Sequence, residues 1–205
     1  MSNQKQTRDK EATIKKIYEK FFNLVLEIGY HNASTNKIAQ AAEISVGTLY
    51  HHFPKGKKDI IRKYFEKSVD SSVELEKFKN FSMTNPASFF KGFISNVLRD
   101  HRENKAYYIA FRSALLSNKD LAVAHKERVF KISKELVQKL QESSDFFNSR
   151  KEERLINSFT FIYNITNAVI YHHIVFMDLF ESDEDIIEYL SFICAQTIDY
   201  LQKKT

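Results

Sequence analysis

The chain has 205 residues, a formal net charge of +5 and 43% hydrophobic side chains, enough apolar content for a folded core and too much for intrinsic disorder. Four glycines and two prolines are too few for the turns of an all-β or loop-rich fold, and a single cysteine, Cys194, excludes an intramolecular disulfide. An all-α chain is expected, of one domain or two small ones.

The opening segment, MSNQKQTRDK, is charged and is not followed by the apolar block of a secretory signal, so a cytoplasmic location is expected. The longest apolar stretch, Ala168 to Met177, is interrupted by His172 and His173 and has about half the length needed to cross a bilayer. Lys and Arg outnumber Asp and Glu by 12 to 6 over residues 1–65, whereas residues 66–205 carry 19 against 20. The basic excess therefore lies wholly at the front, the pattern of a polyanion-binding segment joined to a neutral body; an ordinary solvated basic surface gives the same count.

Ile14, Ile17, Phe21, Leu24 and Ile28 recur at spacings of three and four, one stripe along a first helix that Gly29 stops. A short second helix is expected to begin at Thr35, whose hydroxyl would cap it, with Ile38, Ala39 and Ala42 turned inward and an end near Glu43. Ser45 caps a third helix of about two turns, which buries Leu49 and Phe53 and stops against Pro54. A longer helix follows from Lys57 towards Asn80, packing Ile60, Ile61, Tyr64 and Phe65 back on the first three. Asn85 and Pro86 open the next, as a cap and a first-turn proline, and further helices are expected over Lys105–Leu116, Lys119–Glu142, Lys151–Met177 and Asp183–Lys203, with Asn118 and Ser182 as caps. No repeat or flexible linker marks a boundary, so the division into residues 1–65 and 66–205 is placed within the long helix.

A helix, a turn of about three residues and a second short helix form a helix-turn-helix, whose second helix enters the DNA major groove. Gly47 gives this expectation its chemistry. Glycine is a poor helix former, but near the start of a groove-inserted helix it lets the backbone approach phosphates or bases, with Ser45 and Thr48 as short donors beside it. Tyr50 and His51 can face outward while Leu49 and Phe53 anchor the helix, and Lys57 starts the following helix within reach of a phosphate. Thr35 and Ser45 can serve equally as helix caps. His51 and His52 are adjacent, point about 100° apart and cannot share a metal ion.

Thr35, Lys37, Ile38, Ala39, Ala42, Ser45, Gly47, Thr48, Leu49, Tyr50, His52, Phe53 and Lys57 together resemble the DNA-binding signature of the tetracycline repressor (TetR) family, over about residues 10–65. The resemblance implies an all-helical homodimer of about nine helices per subunit: an N-terminal helix-turn-helix three-helix domain and a larger, variable effector-binding and dimerisation domain. It implies that Thr35, Lys37, Thr48, Tyr50 and Lys57 contact phosphates, with Val46, Gly47, Thr48 and His51 near bases. Two features depart from the family pattern. Glu43 stands where the turn usually carries glycine, and since non-glycine residues seldom take positive φ the turn is expected to be slightly strained or shifted; the loop from Pro54 to Lys57 is one residue longer than the common form, which weakens Lys57 as a phosphate ligand most.

Residues 66–205 hold no HExxH, phosphate loop, nucleophile elbow or CxxC pair, so no enzyme activity, cofactor or metal is expected. His172 and His173 are read as interior or interface histidines, and Cys194 as a small buried hydrophobe, with a redox sensor as the alternative. The Lys151–Met177 helix is apolar on two sides, and its successor repeats the pattern with Ile186, Leu190, Ile193, Ile198 and Leu201; the pair could pack on their twofold copies as a four-helix dimer interface, or build the thick core of a monomer. Aromatic side chains could line an effector cavity. Phe93, Tyr108, Phe111, Arg112, Phe159, Tyr163 and Asn167 are its candidate contacts, and core packing is their competing role. The combined expectation is a ligand-responsive transcriptional repressor that binds a palindromic double-stranded operator as a homodimer and is released by a small, mainly apolar or aromatic effector. The alternative is a DNA-binding dimer without such an effector, controlled by a protein partner.

Overall fold

The computed structural model describes residues 2–72, 86–143 and 145–203. Their secondary structure is helical throughout: α1 Ser2–Asn32, α2 Thr35–Ala41, α3 Val46–His52, α4 Lys57–Ser72, α5 Pro86–Glu103, α6 Lys105–Ser117, α7 Lys119–Ser143, the single turn α8 Asp145–Asn148, α9 Glu152–Val175 and α10 Asp183–Lys203. Asn85 and the far end of the helix drawn towards Asn80 lie outside the described residues. Among those residues no helix is long and apolar enough to cross a membrane.

Two compact units result. The first comprises Met1–Ser72 and Ala106–Ala122, the second Val73–Lys105 and Val123–Thr205. The first unit is thus more than the three-helix reader, because α6 belongs with it. Its core takes Ile17, Phe21 and Val25 from α1, Ile38 and Ala39 from α2, Leu49 and Phe53 around α3, and Ile60 and Ile61 from α4, all essentially buried. α6 adds aromatic rings: Tyr107 lies 5.5 Å from Phe22 and 4.5 Å from Tyr64, and Phe111 stacks on Phe65 at 4.9 Å. Gly29 does not end α1 but kinks it, at φ 78 and ψ 157, and one more turn reaches Asn32.

In the second unit α5 packs against α10 and α9. Phe90, Ile94 and Leu98 of α5 meet Leu136, Val137 and Leu140 of α7, Leu155, Ile156, Phe159 and Ile162 of α9, and Ile186, Leu190, Cys194 and Ile198 of α10 in one buried cluster. Ion pairs join Lys91 to Glu188 and Arg102 to Asp183. The caps at Asn118 and Ser182 form: Asn118 Oδ1 accepts from the Leu121 N–H and Ser182 Oγ from that of Asp185. α8 has no counterpart among the sequence expectations. Four residues are too few to show a helical period. His173 is the interior histidine, its Nδ1 accepting the Leu179 N–H at 3.0 Å, while His172 is exposed. Cys194 is fully buried beside the Thr166 hydroxyl, and burial pushes its thiol pKa up to about 11, so it packs as a hydrophobe rather than as a reactive thiolate.

The apolar stripe expected to face a second copy is spent inside the chain. Ile186, Leu190 and Ile198 of α10 are buried against α5, while the opposite face of the helix leaves Tyr189, Phe192 and Tyr200 more than half exposed. The Leu201 side chain lies outside the described residues.

Candidate nucleic-acid interface

The reading head is built from two capped helices. α2 begins after Ser34, whose hydroxyl accepts the Lys37 N–H at 3.3 Å. The cap therefore sits one residue before the expected Thr35, and Thr35 is the first helical residue. Its hydroxyl is left to meet the Tyr50 hydroxyl at 3.3 Å. α3 is capped where expected: Ser45 Oγ accepts the Thr48 N–H at 2.9 Å and lies 2.8 Å from the Thr48 hydroxyl. Losing such a cap costs about 1 kcal/mol. Leu49 and Phe53 are 0% and 1% exposed, and burying two side chains of this size contributes about 3–6 kcal/mol, which fixes the rotation of α3 about its axis.

That rotation turns Val46, Gly47, Tyr50 and His51 to solvent. A Cβ built at Gly47 would meet only Ser45 Oγ, at 3.6 Å, an ordinary contact. Among the described residues no contact crowds a side chain at this position. Gly56 is the opposite case: φ is +61 and a Cβ would come within 2.9 Å of the Thr35 methyl and 3.7 Å of the Tyr50 ring. The long loop thus seats Tyr50 and Thr35 against bare backbone.

Glu43 occupies the helix-turn-helix turn at φ 53, a left-handed conformation that non-glycine residues seldom adopt. Its carboxylate pairs with Lys16 of α1, and that bond holds its pKa below the ordinary range despite some desolvation. The turn is therefore a strained residue tethered by an ion pair.

α4 clamps the other helices. Lys57 Nζ donates to the carbonyls of Tyr30 and His31 at 2.8 and 3.2 Å and lies 4.3 Å from the Tyr30 ring centre; burial pushes its pKa down. Lys63 Nζ donates to the His52 carbonyl at 2.8 Å and lies 5.3 Å from the Phe53 ring centre. Each ammonium satisfies carbonyls at a helix C-terminus, where cations are favoured. Asp59, 3% exposed, accepts the Lys55 N–H at 2.7 Å and the Arg62 guanidinium at 3.1 Å. Burial raises its pKa, but the Lys55 and Arg62 bonds outweigh that and hold it below the usual carboxylate value. His52 is shifted down by burial first, then by His51, Lys10 and Lys63.

The sequence candidates thus divide. Lys37, Val46, Gly47, Tyr50 and His51 are exposed, and Ser45, Thr48 and Thr35 stand beside them in caps and in the Tyr50 contact. Lys57 faces backbone carbonyls instead. Sequence reasoning missed Ser34, Gly56, Asp59 and the Lys63 clamp; only the Asp59–Arg62 spacing of three carried a readable signal. Among the described residues no group of three or more His, Cys, Asp or Glu side chains is arranged for a metal ion.

The model of the bacterial regulatory proteins of the tetR family matches residues 22–64, the segment that carries this geometry. Residues 22–64 thus match the DNA-binding domain of that family. Solved TetR-like structures share the fold along almost the whole chain. A candidate TetR-family transcriptional regulator from Syntrophomonas wolfei superposes with a TM-score of 0.74 at 17% identity, covering 92% of this chain and 96% of that one. The fatty acid degradation regulator FadR from Bacillus halodurans gives 0.62 at 20% identity, covering 94% and 95%. Salmonella enterica GusR gives 0.67 at 16% identity, covering 93% and 96%. No curated protein matches the sequence significantly. The matched segment is thus that of a family of bacterial regulatory proteins, and the solved structures share the all-helical fold.

The candidate effector contacts fall in both units. Tyr108, Phe111 and Arg112 lie on α6 in the first, and Phe93 of α5 and Phe159, Tyr163 and Asn167 of α9 lie in the second. Phe111 is buried in its stack on Phe65, and Phe159 is buried in the second core. Phe93 packs at the edge of that core; Tyr108, Arg112, Tyr163 and Asn167 are half-buried.

Proposed function

We propose that this chain is a ligand-responsive transcriptional repressor, reading a palindromic operator as a homodimer through residues 1–65 and using residues 66–205 for effector binding and dimerisation. The observation that carries the DNA-reading part is Gly47: an exposed helical glycine that no internal contact demands, on a helix pinned by Leu49 and Phe53. A Cβ there would stand between backbone and duplex. Thr35, Lys37, Ser45, Thr48 and Tyr50 would hold phosphates and set the register, while Val46, Gly47 and His51 face bases. Exposed Lys55 and Lys58 can add phosphate contacts, and Lys57 acts mainly as the clamp.

The homodimer is supported by the outer face of α10. Tyr189, Phe192 and Tyr200 recur at spacings of three and eight residues on the side opposite the buried stripe, and Phe161 of α9 is half exposed. Aromatic side chains on a face that the chain itself does not cover suit a second copy, which the last two helices would meet as a four-helix bundle. Twofold pairing sets two recognition helices on successive major-groove faces about 34–36 Å apart. A small, mainly apolar or aromatic effector would favour the subunit arrangement with the wrong spacing.

Selection of duplexes from a random pool, followed by fluorescence anisotropy, tests the reading. The expected result is an inverted repeat bound by two chains, lost in the protein carrying both Tyr189→Glu and Phe192→Glu, which should sediment as a monomer. Enrichment of no sequence, or stoichiometric binding by one chain to an asymmetric site, would overturn it.

A further inference from the structure

The first half of α1 is longer than the core of its unit needs. The helix begins at Ser2, yet among its described side chains the first buried one is Ile17, and from Asp9 to Lys16 each is exposed or half-buried. Residues 2–11, SNQKQTRDKE, contain no apolar side chain that a core could take up. At 1.5 Å per residue, Ser2 to Lys16 is about 21 Å of helix. Its described ties to the protein are the Thr13 hydroxyl, which donates to the Asp9 carbonyl at 2.8 Å, and the Lys16 pair with Glu43. A polar helical stretch that buries so little gains almost nothing from folding by itself, which points to a use outside the chain.

Two interactions place this stretch beside the reading head. Lys16 pairs with Glu43 in the turn before α3, and Lys10, about 9 Å further back along α1, stands near His52 at the end of α3. α1 thus passes the turn and then the far end of the recognition helix, and two more turns continue beyond it. The charges acting on His52 are all basic: after burial, His51, Lys10 and Lys63 hold its pKa down. Most cations of this corner are committed, Lys63 to the His52 carbonyl, Lys16 to Glu43 and Lys20 to Glu19, whereas Lys10 is exposed. Counting back from Lys10 at helical spacing, the same register holds Thr7, Gln6 and Asn3, and residues 2–10 carry three basic residues, Lys5, Arg8 and Lys10, against the one acid Asp9.

We propose that the first half of α1 is a further DNA-contacting element, in which Lys10 meets a backbone phosphate beside the end of α3 and the segment from Ser2 to Asp9 runs on along the same duplex. The proposal rests on the operator-binding part of the function above and enlarges its contact surface beyond α2 and α3. A duplex suits the segment better than a protein partner does, because the excess charge is positive, no apolar group is present to bury, and the stretch is continuous with the end of the recognition helix. Lysine, arginine, asparagine, glutamine and threonine are side chains that hydrogen-bond phosphate oxygens. About 12 Å of helix precede Lys10, the rise of three to four base pairs, so the segment can add a phosphate or two to each half-site.

The test measures binding of the selected duplex by anisotropy between 50 and 200 mM salt, for the full chain, for Lys10→Ala and Lys10→Arg, and for a variant lacking Ser2–Arg8; Lys139→Ala, at an exposed lysine of α7, makes the same charge change elsewhere. Lys10→Ala should weaken binding at least threefold and lower the slope of log affinity against log salt by about 0.9 for each subunit, with an unchanged melting temperature. Lys10→Arg should keep both close to wild type. The deletion should cost at least tenfold and lower the slope further, and Lys139→Ala should change neither. If the deletion variant does not fold, the two Lys10 variants decide. Wild-type affinity and slope in Lys10→Ala, or an equal loss in Lys139→Ala, would overturn the proposal. Absence of binding by the wild type sinks the repressor reading itself, whereas wild-type binding that the folded α1 variants match sinks only the contact through α1.

Discussion

Lys57 separates two physical roles that a sequence motif cannot. If its ammonium serves the protein, Lys57→Met removes two charge-assisted hydrogen bonds to the Tyr30 and His31 carbonyls and the cation from the Tyr30 ring. Bonds of this type contribute about 1.5–3 kcal/mol each when well sheltered, and a cation on an aromatic face about 0.5–1 kcal/mol near the surface. Lys57 is only half-buried, so water offsets part of this and the net cost should be about 2–3 kcal/mol. For a chain of this length that corresponds to a fall in melting temperature of about 4–10 °C. If the ammonium instead serves DNA, stability stays put and the slope of log affinity against log salt falls by about 0.9 for each phosphate that the variant no longer neutralises. Thermal melts and salt titrations of Lys57→Met and of Lys55→Ala, an exposed neighbour, distinguish the two. The clamp predicts a less stable Lys57 variant with an almost unchanged slope, and a Lys55 variant with normal stability and a shallower slope. A Lys57→Met protein that melts like wild type while losing salt dependence would refute the reasoning.

Gly47→Ala should leave the fold as stable as wild type, or up to about 1 kcal/mol more so, yet weaken operator binding at least tenfold by anisotropy, because the added methyl finds room in the protein but not in the groove. Gly56→Ala should destabilise the first unit by about 1–3 kcal/mol in denaturant, since a Cβ at φ +61 meets the Thr35 methyl at 2.9 Å, and should weaken binding through Tyr50. Asp59 has a folded pKa below its unfolded one, so its contribution is present above the unfolded value of about 4 and fades as pH falls through the lower folded pKa. Asp59→Asn should therefore lower stability at pH 7 and flatten its decline below pH 4; parallel wild-type and variant curves across that window would count against the assignment.

How far the sequence reveals this fold depends on what carries each feature. Helical periodicity carried α1, α9 and α10, since eleven or more residues repeat one spacing, and the hydroxyls of Ser45 and Ser182 and the amide oxygen of Asn118 carried their caps. The single turn α8 offers no period, and at α2 two adjacent hydroxyls, Ser34 and Thr35, compete for one cap, a choice decided by backbone rather than residue type. At Glu43 the sequence left two outcomes, a strained turn or a shifted one, and the backbone takes the strained one at φ 53. Residue type does not separate an effector contact from a core contact. Phe111 on Phe65 and Phe159 in the second core show that an aromatic at helical spacing looks alike whether it faces a neighbour or a ligand.

The basic excess at the front illustrates the deeper limit. Twelve Lys and Arg against six acids over residues 1–65 suggest a broad phosphate-binding surface, yet several of these charges are committed inside the unit. Lys57 and Lys63 close the C-terminal ends of α1 and α3, Arg62 braces Asp59 and Glu66, and Lys16 holds the strained turn at Glu43. Their acceptors are in part backbone carbonyls, which every residue possesses and no motif records. Lys37, Lys55 and Lys58, exposed on and after the reading helices, are left to meet phosphates directly, as are exposed Lys10 and Lys15 of α1. The salt slope of operator binding should accordingly reflect these exposed lysines rather than the full count, while the clamping cations act by holding α3 at the angle that presents Gly47.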